Sequence, residues 1–567
     1  MSFILIAMVV SVFGARLFQL QGIDAEAYAA KAEAEGVVTV TLPATRGSIT
    51  DRSGTPLAES VDGLMIVADP TMTKKNASEI AKILANRLDV DYFEILERLR
   101  RPDTQFQYIA RRVPSTAARS VLEKIDSKGY QGIEVRRDPV RDYPARDVAA
   151  NILGFMGAEG EPMDGFELLF DDILAGTDGS ATYEQGGGNR IPLGENSVVQ
   201  PNSGDDLRLT IDRDVQWYTQ RLLRQSVQAS GGQSGAAVVM DSRTGELLAL
   251  ADHPTFDANT PLVSPKADLG ARSIFDVYEP GSVQKVLTAA ALVDAGKVTP
   301  ATRITAPGQL RRQDRVINDY WDHGRLKLTL TGVIAKSSNI GILLAADEFS
   351  PRQLHRYLST FGLGSKTGIG FAGESPGLLP PWQSWQQINQ DTIAFGQGVS
   401  VSALQMAAAV NTIANDGVLV TPSLVKGSAT TAYGETVGSD TATTRRVISR
   451  SAAQQTTEMM EAVTDPEEGT APLAAIEGYR VAGKTGTAQR VGADGLGYDG
   501  TFTVSFAGFA PADDPRFLVY VVIHDPRNGG GGGTVGGPVF HKIMTYVLRK
   551  YAVPPTGAAA PDNPLEW

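Results

Sequence analysis

Cysteine is absent from the 567-residue chain, and histidine occurs only five times. Without thiols the chain can form neither disulfides nor thiolate metal sites, and it has no cysteine nucleophile. The histidines are scattered and form no H-E-x-x-H pair; they are His253, His323, His355, His524 and His541. Because metal sites of this kind need clustered ligands, we predict no metal and no cofactor. A G-x-S-x-G elbow is also missing, which argues against a serine–histidine hydrolase.

Positive charge is in deficit, with 52 lysines and arginines against 64 aspartates and glutamates and a formal net charge of −12. The sequence has no tract rich in lysine or arginine that would neutralise phosphates. Nucleic acid is therefore excluded as a partner, because its binding needs a basic face.

Long apolar runs are also scarce, and the one candidate membrane segment lies at the N-terminus. Residues 3–15 carry no charge, and Leu17, Phe18 and Leu20 extend the apolar pattern. The length fits both a short spanning helix and the core of a signal peptide. Since no small-x-small cleavage site closes the run, we predict an uncleaved single-pass anchor over residues 1–21. A cleaved signal peptide and a buried helix are the alternatives.

The remainder of the chain is too long for one hydrophobic core, so at least two domains are expected. Residues 22–200 mix a helix-prone stretch over 24–36 with short strands such as Val38–Leu42 and amphipathic helices such as Ala77–Leu88. This mixture predicts a first domain, whose fold the pattern alone leaves open.

A second domain is predicted over residues 201–554, with helices in the middle and strands at both ends, which is typical of an α+β layout. Its predicted elements are a helix over 214–229, a hairpin of Gly235–Met240 and Glu246–Ala251, the strands Phe502–Phe509 and Arg516–His524, and a last helix over 539–551. The Pro- and Ala-rich residues 555–567 are predicted to be disordered.

The first element with candidate chemistry is Ser282-Val283-Gln284-Lys285. A Glu-Pro-Gly turn precedes it and an apolar run follows, which places Ser282 at or near a helix start. Ser282 and Lys285 are three residues apart, so they share one helix face. A neutral lysine amine can take the serine proton, and burial or a second nearby cation favours the neutral form. Alone, the pattern also fits an ordinary solvated lysine on a helix.

The second element is Ser337-Ser338-Asn339, which lies between the apolar runs 333–335 and 340–344. Polar groups at a junction of buried segments are costly unless they are paired, which favours a functional role. A helix cap or a polar turn explains the triplet equally well.

The third element is Lys484-Thr485-Gly486-Thr487, which has the pattern of a strand with short hydroxyl side chains and a glycine. A substrate peptide could pair along it while the lysine and hydroxyls bind a carboxylate. A turn with a solvated lysine is the alternative. A second Lys-Thr-Gly, at residues 366–368, follows Phe361-Gly362-Leu363-Gly364 and is predicted to be a loop without a catalytic role.

S-x-x-K, S-x-N and K-T-G in this order are the signature of penicillin-binding proteins and serine β-lactamases. The chain resembles a class B penicillin-binding protein over nearly its whole length. The other stretches that resemble this family are 46–52, Thr210-Ile211-Asp212, 244–251, 278–282 and Phe395-Gly396-Gln397-Gly398. The triplet at 337–339 and the stretch 361–375 resemble the cell-division (septal) branch, since the elongation branch tends to carry Asp at the third place. The overall look is actinobacterial.

The resemblance implies a fold and a set of roles. It implies a transpeptidase domain with an antiparallel sheet flanked by helices, on an elongated α+β pedestal of the penicillin-binding protein dimerisation type. Ser282 would attack the penultimate D-Ala carbonyl of a stem pentapeptide, with Lys285 as base and Ser337 as proton relay. Asn339 would hold Lys285 and the substrate amide. The carboxylate would be received by Lys484, Thr485 and Thr487, around Gly486, and the N–H groups of Ser282 and Thr487 would form the oxyanion hole.

The resemblance also implies partners and a location. The partners are peptidoglycan stem peptides, β-lactams, the membrane, a separate membrane glycosyltransferase and other division proteins. The catalytic domain would lie outside the cytoplasmic membrane at the septum. Three alternatives stay open: a hydrolase such as a carboxypeptidase or β-lactamase, a noncatalytic division scaffold, and an elongation-type transpeptidase.

Overall fold

The computed structural model of the protein describes residues 2–19, 37–88, 90–102, 104–157, 159–186, 189–190, 196–492 and 497–567. The helix-prone stretch 24–36 lies outside these residues. The helices are α1 Ser2–Phe18, α2 Pro70–Thr73, α3 Ala77–Leu88, α4 Tyr92–Arg100, α5 Ser115–Asp126, α6 Ala150–Leu153, α7 Gly165–Leu169, α8 Asp171–Leu174, α9 Arg213–Ser230, α10 Arg272–Phe275, α11 Gln284–Asp294, α12 Leu330–Ala335, α13 Asn339–Ala346, α14 Pro351–Thr360, α15 Gln387–Ala394, α16 Ala403–Ala414, α17 Arg450–Glu461 and α18 Gly537–Lys550. The strands are β1 Val37–Leu42, β2 Ile49–Thr50, β3 Pro56–Val61, β4 Gly63–Ala68, β5 Gln107–Pro114, β6 Ile133–Arg137, β7 Val140–Asp142, β8 Gly179–Gly186, β9 Asn189–Arg190, β10 Asn196–Val199, β11 Leu207–Arg208, β12 Ser234–Asp241, β13 Leu247–His253, β14 Arg303–Ala306, β15 Leu310–Arg312, β16 Arg315–Ile317, β17 Leu326–Thr329, β18 Val418–Val420, β19 Ala429–Thr430, β20 Thr436–Val437, β21 Thr444–Arg446, β22 Ala482–Val491, β23 Tyr498–Ala510 and β24 Phe517–His524.

The chain divides into two compact units, and the division is discontinuous in sequence. The first unit contains residues 1–47, 60–141 and 174–205, and the second contains 48–59, 142–173 and 206–567. The sequence predicted a single boundary at residue 200, whereas two earlier segments group with the C-terminal unit. Backbone pairing explains one of them, because β2 pairs in parallel with β11. A local sequence pattern carries no signal for such a long-range pairing.

The first unit is built on two antiparallel sheets. One has the order β5-β4-β6, and the other has the order β1-β8-β10 with β9 paired to β8. Helices α3, α4 and α5 supply the apolar side chains that form one core cluster with the first sheet. Helix α3 follows the predicted bounds because Ile80, Ala81 and Leu84 recur on one helix face and are buried. The strand predicted at 38–42 is present as β1.

Helix α1 covers 17 residues, and many of its apolar side chains are exposed, among them Phe3 (90%) and Ile4 (75%). Within the part of the chain that the structure describes, no helix combines the length and apolarity needed to cross a membrane. The structure therefore does not confirm the predicted membrane anchor, which stays a prediction.

The second unit is organised around a five-stranded antiparallel sheet with the order β13-β12-β24-β23-β22. Helices α9 and α18 pack against each other and against the sheet, and a second group of helices includes α11, α16 and α17. The predicted hairpin, the two late strands and the last helix are all confirmed, with small shifts at their ends. They were predictable because β12 and β24 are short apolar runs bounded by polar turns, as in strands buried on both faces.

The predicted disorder of residues 555–567 is wrong for the end of that segment. The Thr329 N–H donates to the Leu565 carbonyl at 2.9 Å, and the Trp567 N–H donates to the Lys327 carbonyl at 3.1 Å. The Lys327 ammonium also lies 4.8 Å from the centre of the Trp567 ring. Composition indicated disorder, but backbone pairing with β17 and one cation–π contact hold these residues in place.

Candidate active site

A cleft of about 1250 Å³ opens in the second unit beside the edge strand β22. All three elements with candidate chemistry contribute to its wall, through Ser282, Ser337, Asn339, Thr485 and Thr487. The fold therefore brings together residues that are far apart in sequence, as the order of the three elements suggested.

Ser282 lies in a 3-10 turn, Gly281–Val283, that runs directly into α11. Gly281 has φ +54°, and its N–H donates to the Gly396 carbonyl at 3.0 Å. A Cβ at Gly396 would lie 2.1 Å from the Gly281 carbonyl oxygen, so glycine is needed for this close approach. The segment at 395–398 thus holds the turn that presents Ser282, which is partly exposed to the cleft.

Lys285 is fully buried in the first turn of α11. Its Nζ donates to the Ser337 carbonyl at 2.5 Å and to the Ser337 Oγ at 3.3 Å. Burial lowers the pKa of Lys285 to about 7, and the negative charge of Asp319 acts in the opposite direction. Near neutral pH a substantial fraction of Lys285 therefore carries no charge and can accept a proton.

Lys484 approaches the same hydroxyl from β22 and is also fully buried. Its Nζ donates to the Ser337 Oγ at 2.8 Å and to the carbonyl and hydroxyl oxygens of Thr485, each at 3.1 Å. Burial and the positive charge of Lys285 both lower the pKa of Lys484 well below its usual value. The Ser337 hydroxyl thus joins two buried amines whose charged forms disfavour each other.

Ser337 lies between α12 and α13 and has φ +59°, a conformation that non-glycine residues adopt rarely. Its neighbour Ser338 caps α13, since the Ser338 Oγ accepts the Gly341 N–H at 2.8 Å. The helix-cap interpretation is therefore correct for Ser338, and the functional role of Ser337 stays a prediction. The middle serine is the helix cap, and Ser337 contacts the two lysines.

Asn339 lines the cleft, and its side-chain amide donates to the Asn318 carbonyl at 2.9 Å. The family resemblance implied that Asn339 holds Lys285. In the described part of the chain no hydrogen bond joins these two residues, because the amide is directed to the backbone of the segment before it.

Lys484, Thr485, Gly486 and Thr487 form a strand segment of β22, as the sequence predicts. β22 pairs with β23, and in the described residues no strand occupies its other edge. A Cβ at Gly486 would lie 2.2 Å from the Ser505 Oγ, so glycine is needed there. The arrangement leaves backbone groups of an edge strand, with hydroxyl side chains, next to the Ser282 turn.

Asp319 was not predicted as a site residue, yet its carboxylate binds the Ser337-Ser338-Asn339 triplet. It accepts the Ser338 hydroxyl at 2.7 Å, the Asn339 N–H at 2.5 Å and the Ile340 N–H at 3.0 Å. The bonded residues are 19 to 21 positions away in sequence. No local sequence pattern predicts such a contact. The one local signal is that Asp319 is a carboxylate shortly after the end of β16 at Ile317.

Comparisons with known proteins cover both units. Residues 235–545 match the penicillin-binding protein transpeptidase domain, and residues 41–209 match the penicillin-binding protein dimerisation domain. The chain is 36% identical to penicillin-binding protein PbpB of Mycolicibacterium smegmatis, over 97% of this chain and 90% of the relative. It is 35% identical to the peptidoglycan D,D-transpeptidase FtsI of Escherichia coli strain K12, over 91% of this chain and 86% of FtsI.

Among solved structures, penicillin-binding protein 3 of Mycobacterium tuberculosis in complex with aztreonam matches with a TM-score of 0.71 and 29% identity. The match covers 93% of this chain and all of that one. The chain belongs to the penicillin-binding proteins, and the order of a dimerisation domain followed by a transpeptidase domain makes it a class B member. The resemblance inferred from the sequence, and the two-domain α+β fold that it implied, are confirmed.

Proposed function

We propose that the protein is a serine-type peptidoglycan D,D-transpeptidase that cross-links stem peptides during synthesis of the division septum. The observation that carries the proposal is the convergence of Lys285 and Lys484 on the Ser337 hydroxyl, in the cleft that also contains Ser282. The names of the relatives add the substrate, since FtsI is named a peptidoglycan D,D-transpeptidase.

In the acylation step the Ser282 Oγ forms a bond to the penultimate D-Ala carbonyl carbon, and the bond from that carbon to the terminal D-Ala nitrogen breaks. Lys285 accepts the Ser282 proton, which requires the neutral amine that burial favours. Ser337 lies between the two amines, so its hydroxyl can pass a proton to the leaving nitrogen. The products are an acyl-enzyme ester and free D-Ala.

Strand β22 is proposed to hold the donor peptide. The free edge of β22 can pair with an extended peptide, and the hydroxyls of Thr485 and Thr487 lie in the cleft wall to receive its carboxylate. The N–H groups of Ser282 and Thr487 would stabilise the oxyanion. Lys484 donates hydrogen bonds to Ser337 and Thr485 from the buried side of this strand, and Asn339 contributes an amide at the cleft surface.

In the second step an amine from a neighbouring stem peptide attacks the acyl carbon, and the bond to Ser282 breaks. The cleft volume of about 1250 Å³ exceeds the roughly 300–1,000 Å³ of a typical small-molecule pocket, which suits a site for both donor and acceptor chains. A β-lactam would acylate Ser282 in place of the donor peptide.

The location and partners follow from the same proposal. Helix α1, with its exposed apolar side chains, would anchor the chain in the cytoplasmic membrane and leave the catalytic unit outside. The two matched domains are a dimerisation and a transpeptidase domain, so a separate membrane glycosyltransferase would supply the glycan strands, together with other division proteins.

The test is a transfer assay with a thioester analogue of the donor peptide and a D-amino acid as acceptor. We expect the wild type to form the new peptide bond, with the product rising as acceptor concentration rises, and the Ser282→Ala variant to form none. Release of only the free acid, at any acceptor concentration, would point to a hydrolase instead. Turnover by the Ser282→Ala variant would exclude Ser282 as nucleophile.

A further inference from the structure

The network that holds the serine triplet extends one residue beyond Asp319, to His323. The Asp319 side chain is completely buried, and the His323 side chain is 5% exposed. The His323 Nε2 lies 2.9 Å from the Asp319 Oδ2. Asp319 therefore binds the start of α13 on one side and an imidazole on the other.

The second ring nitrogen of His323 also has a partner, because its Nδ1 lies 2.7 Å from the Gly324 carbonyl oxygen. A carboxylate and a carbonyl are both acceptors, and a neutral imidazole has only one N–H to donate. Both contacts are hydrogen bonds only when the ring carries two protons. The buried geometry of His323 thus fits the imidazolium form.

We propose that His323 is a positioning residue for acylation: as an imidazolium it donates to Asp319 and to Gly324, and so fixes the carboxylate that holds residues 338–340. This inference rests on the proposed function, because it concerns the alignment of Ser337 with Lys285 and Lys484. It adds a proton-dependent support that lies outside the three motifs.

The physical reason is the cost of leaving a buried acceptor unpaired. A ring with one proton on Nδ1 leaves the Asp319 carboxylate without that donor, and the completely buried carboxylate is poorly placed to recover one from water, whereas Gly324 is exposed. Asp319 then holds the triplet less tightly. Ser337, which has the rarely adopted φ of +59°, directly precedes the residues that Asp319 holds.

Other charged groups act on the same network and must be separated from His323. The charge of Asp319 acts on Lys285, and the charge of Lys285 acts on Lys484. The charges of Lys336 and Asp319 both act on Tyr320, and Lys336 is paired with Glu468. The lysine pair gives acylation its own dependence on pH, so a pH profile of the wild type alone does not isolate the ring.

Two substitutions divide the contacts of His323. In His323→Gln the amide nitrogen takes about the place of Nε2, which retains the donor to Asp319 but removes the charge. In His323→Asn the amide nitrogen takes about the place of Nδ1, which retains the donor to Gly324 and leaves Asp319 without one. We therefore expect the acylation constant to fall further in His323→Asn than in His323→Gln.

The experiment measures acylation by benzylpenicillin in stopped flow over a series of pH values, separating non-covalent binding from the first-order acylation constant. We expect His323→Asn to lower the acylation constant about 10-fold at neutral pH, with binding little changed, and His323→Gln to lower it a few-fold. The pH profiles of both variants should differ from that of the wild type, because neither side chain can carry the charge of the ring. Equal constants and equal pH profiles in all three proteins would overturn the proposal.

The charge of the ring is tested separately by ¹⁵N NMR of the protein labelled at its five histidines, with His323→Asn identifying the signal. Two protonated ring nitrogens at neutral pH are expected, and a neutral tautomer would overturn the proposal. If benzylpenicillin does not acylate the wild type at all, the proposed function fails, whereas the NMR result still decides the state of His323.

Discussion

Two Lys-Thr-Gly sequences occur in this chain, and the structure gives them opposite environments. Lys484-Thr485-Gly486 lies in β22, where the lysine is fully buried and bonded to Ser337. Lys366-Thr367-Gly368 lies in a loop after α14, where the lysine is exposed, beside a separate cavity of about 320 Å³. The N–H and hydroxyl of Thr367 both donate to the Glu374 carboxylate, at 2.7 and 2.6 Å.

The comparison shows that the tripeptide by itself carries no chemistry. Burial, and the approach of a second buried lysine, lower the pKa of Lys484 well below its usual value. In the loop the equivalent threonine serves a turn, and burial raises the pKa of its partner Glu374. The two motifs therefore differ in the secondary structure that contains them and in the groups that surround them.

The largest expected difference between the two motifs is in the lysines. Lys484→Ala should lower the rate of acylation by benzylpenicillin about 100-fold or more, because it removes the buried amine that bonds to Ser337. Lys366→Ala, the matched control, should leave the rate within about two-fold. A fluorescent penicillin gives both rates. Equal losses in the two variants would mean that the structure assigns the wrong lysine.

The pH profile gives the next largest effect. Lys285 accepts the serine proton only when it is neutral, and burial brings its pKa to about 7. Below that pH the neutral fraction falls about tenfold per pH unit, so acylation should rise by about 10- to 100-fold between pH 5 and pH 7. The Lys366→Ala variant should show the same rise of the acylation rate with pH. A profile that is flat over this range, at constant folding, would contradict Lys285 as base.

Substitution of the two glycines should give a smaller difference in acylation rate. Gly486→Ala should lower acylation about 10-fold, since its Cβ would lie 2.2 Å from the Ser505 Oγ and 3.2 Å from the Pro280 carbonyl beside the nucleophile turn. Gly368→Ala should leave acylation unchanged and lower the free energy of unfolding by about 1 kcal/mol, because Gly368 has φ +84°. Denaturant titration and acylation rates together check both expectations, and the reverse pattern would contradict them.

The threonines give the smallest contrast. Thr485→Val should weaken acylation a few-fold, because it removes a hydroxyl that lies in the cleft and bonds to Lys484. Thr367→Val should leave acylation unchanged and cost about 1 kcal/mol of unfolding free energy, since Glu374 loses a donor. If Thr367→Val slowed acylation as much as Thr485→Val, the loop would have to communicate with the cleft.

Much of the fold of the second unit was predictable from the sequence, because many of its elements have a recognisable local pattern. The strands β12 and β24 are apolar runs between polar turns, and the context of residues 366–368 separated the loop from the strand. The features that were not predictable depend on contacts between segments that are distant in sequence. Asp319 bonds to residues about 20 positions later, and Trp567 pairs with β17 despite a composition that suggested disorder.

The site shows the same limit at closer range. The position of Ser282 at a helix start was predictable, because a Pro-Gly turn precedes it and an apolar run follows. The amide of Asn339 bonds to Asn318 and not to Lys285, and this choice depends on a segment whose position no motif specifies. Long-range packing, not motif spacing, decides which polar groups meet.

Intact-mass spectrometry of the protein after incubation with benzylpenicillin, beside the Ser282→Ala variant, tests the central assignment most directly. We expect one stable adduct of the penicillin's full mass on the wild type, mapped by peptide digestion to Ser282, and none on the variant. An unmodified wild type with intact folding, or an adduct that persists in Ser282→Ala, would contradict it.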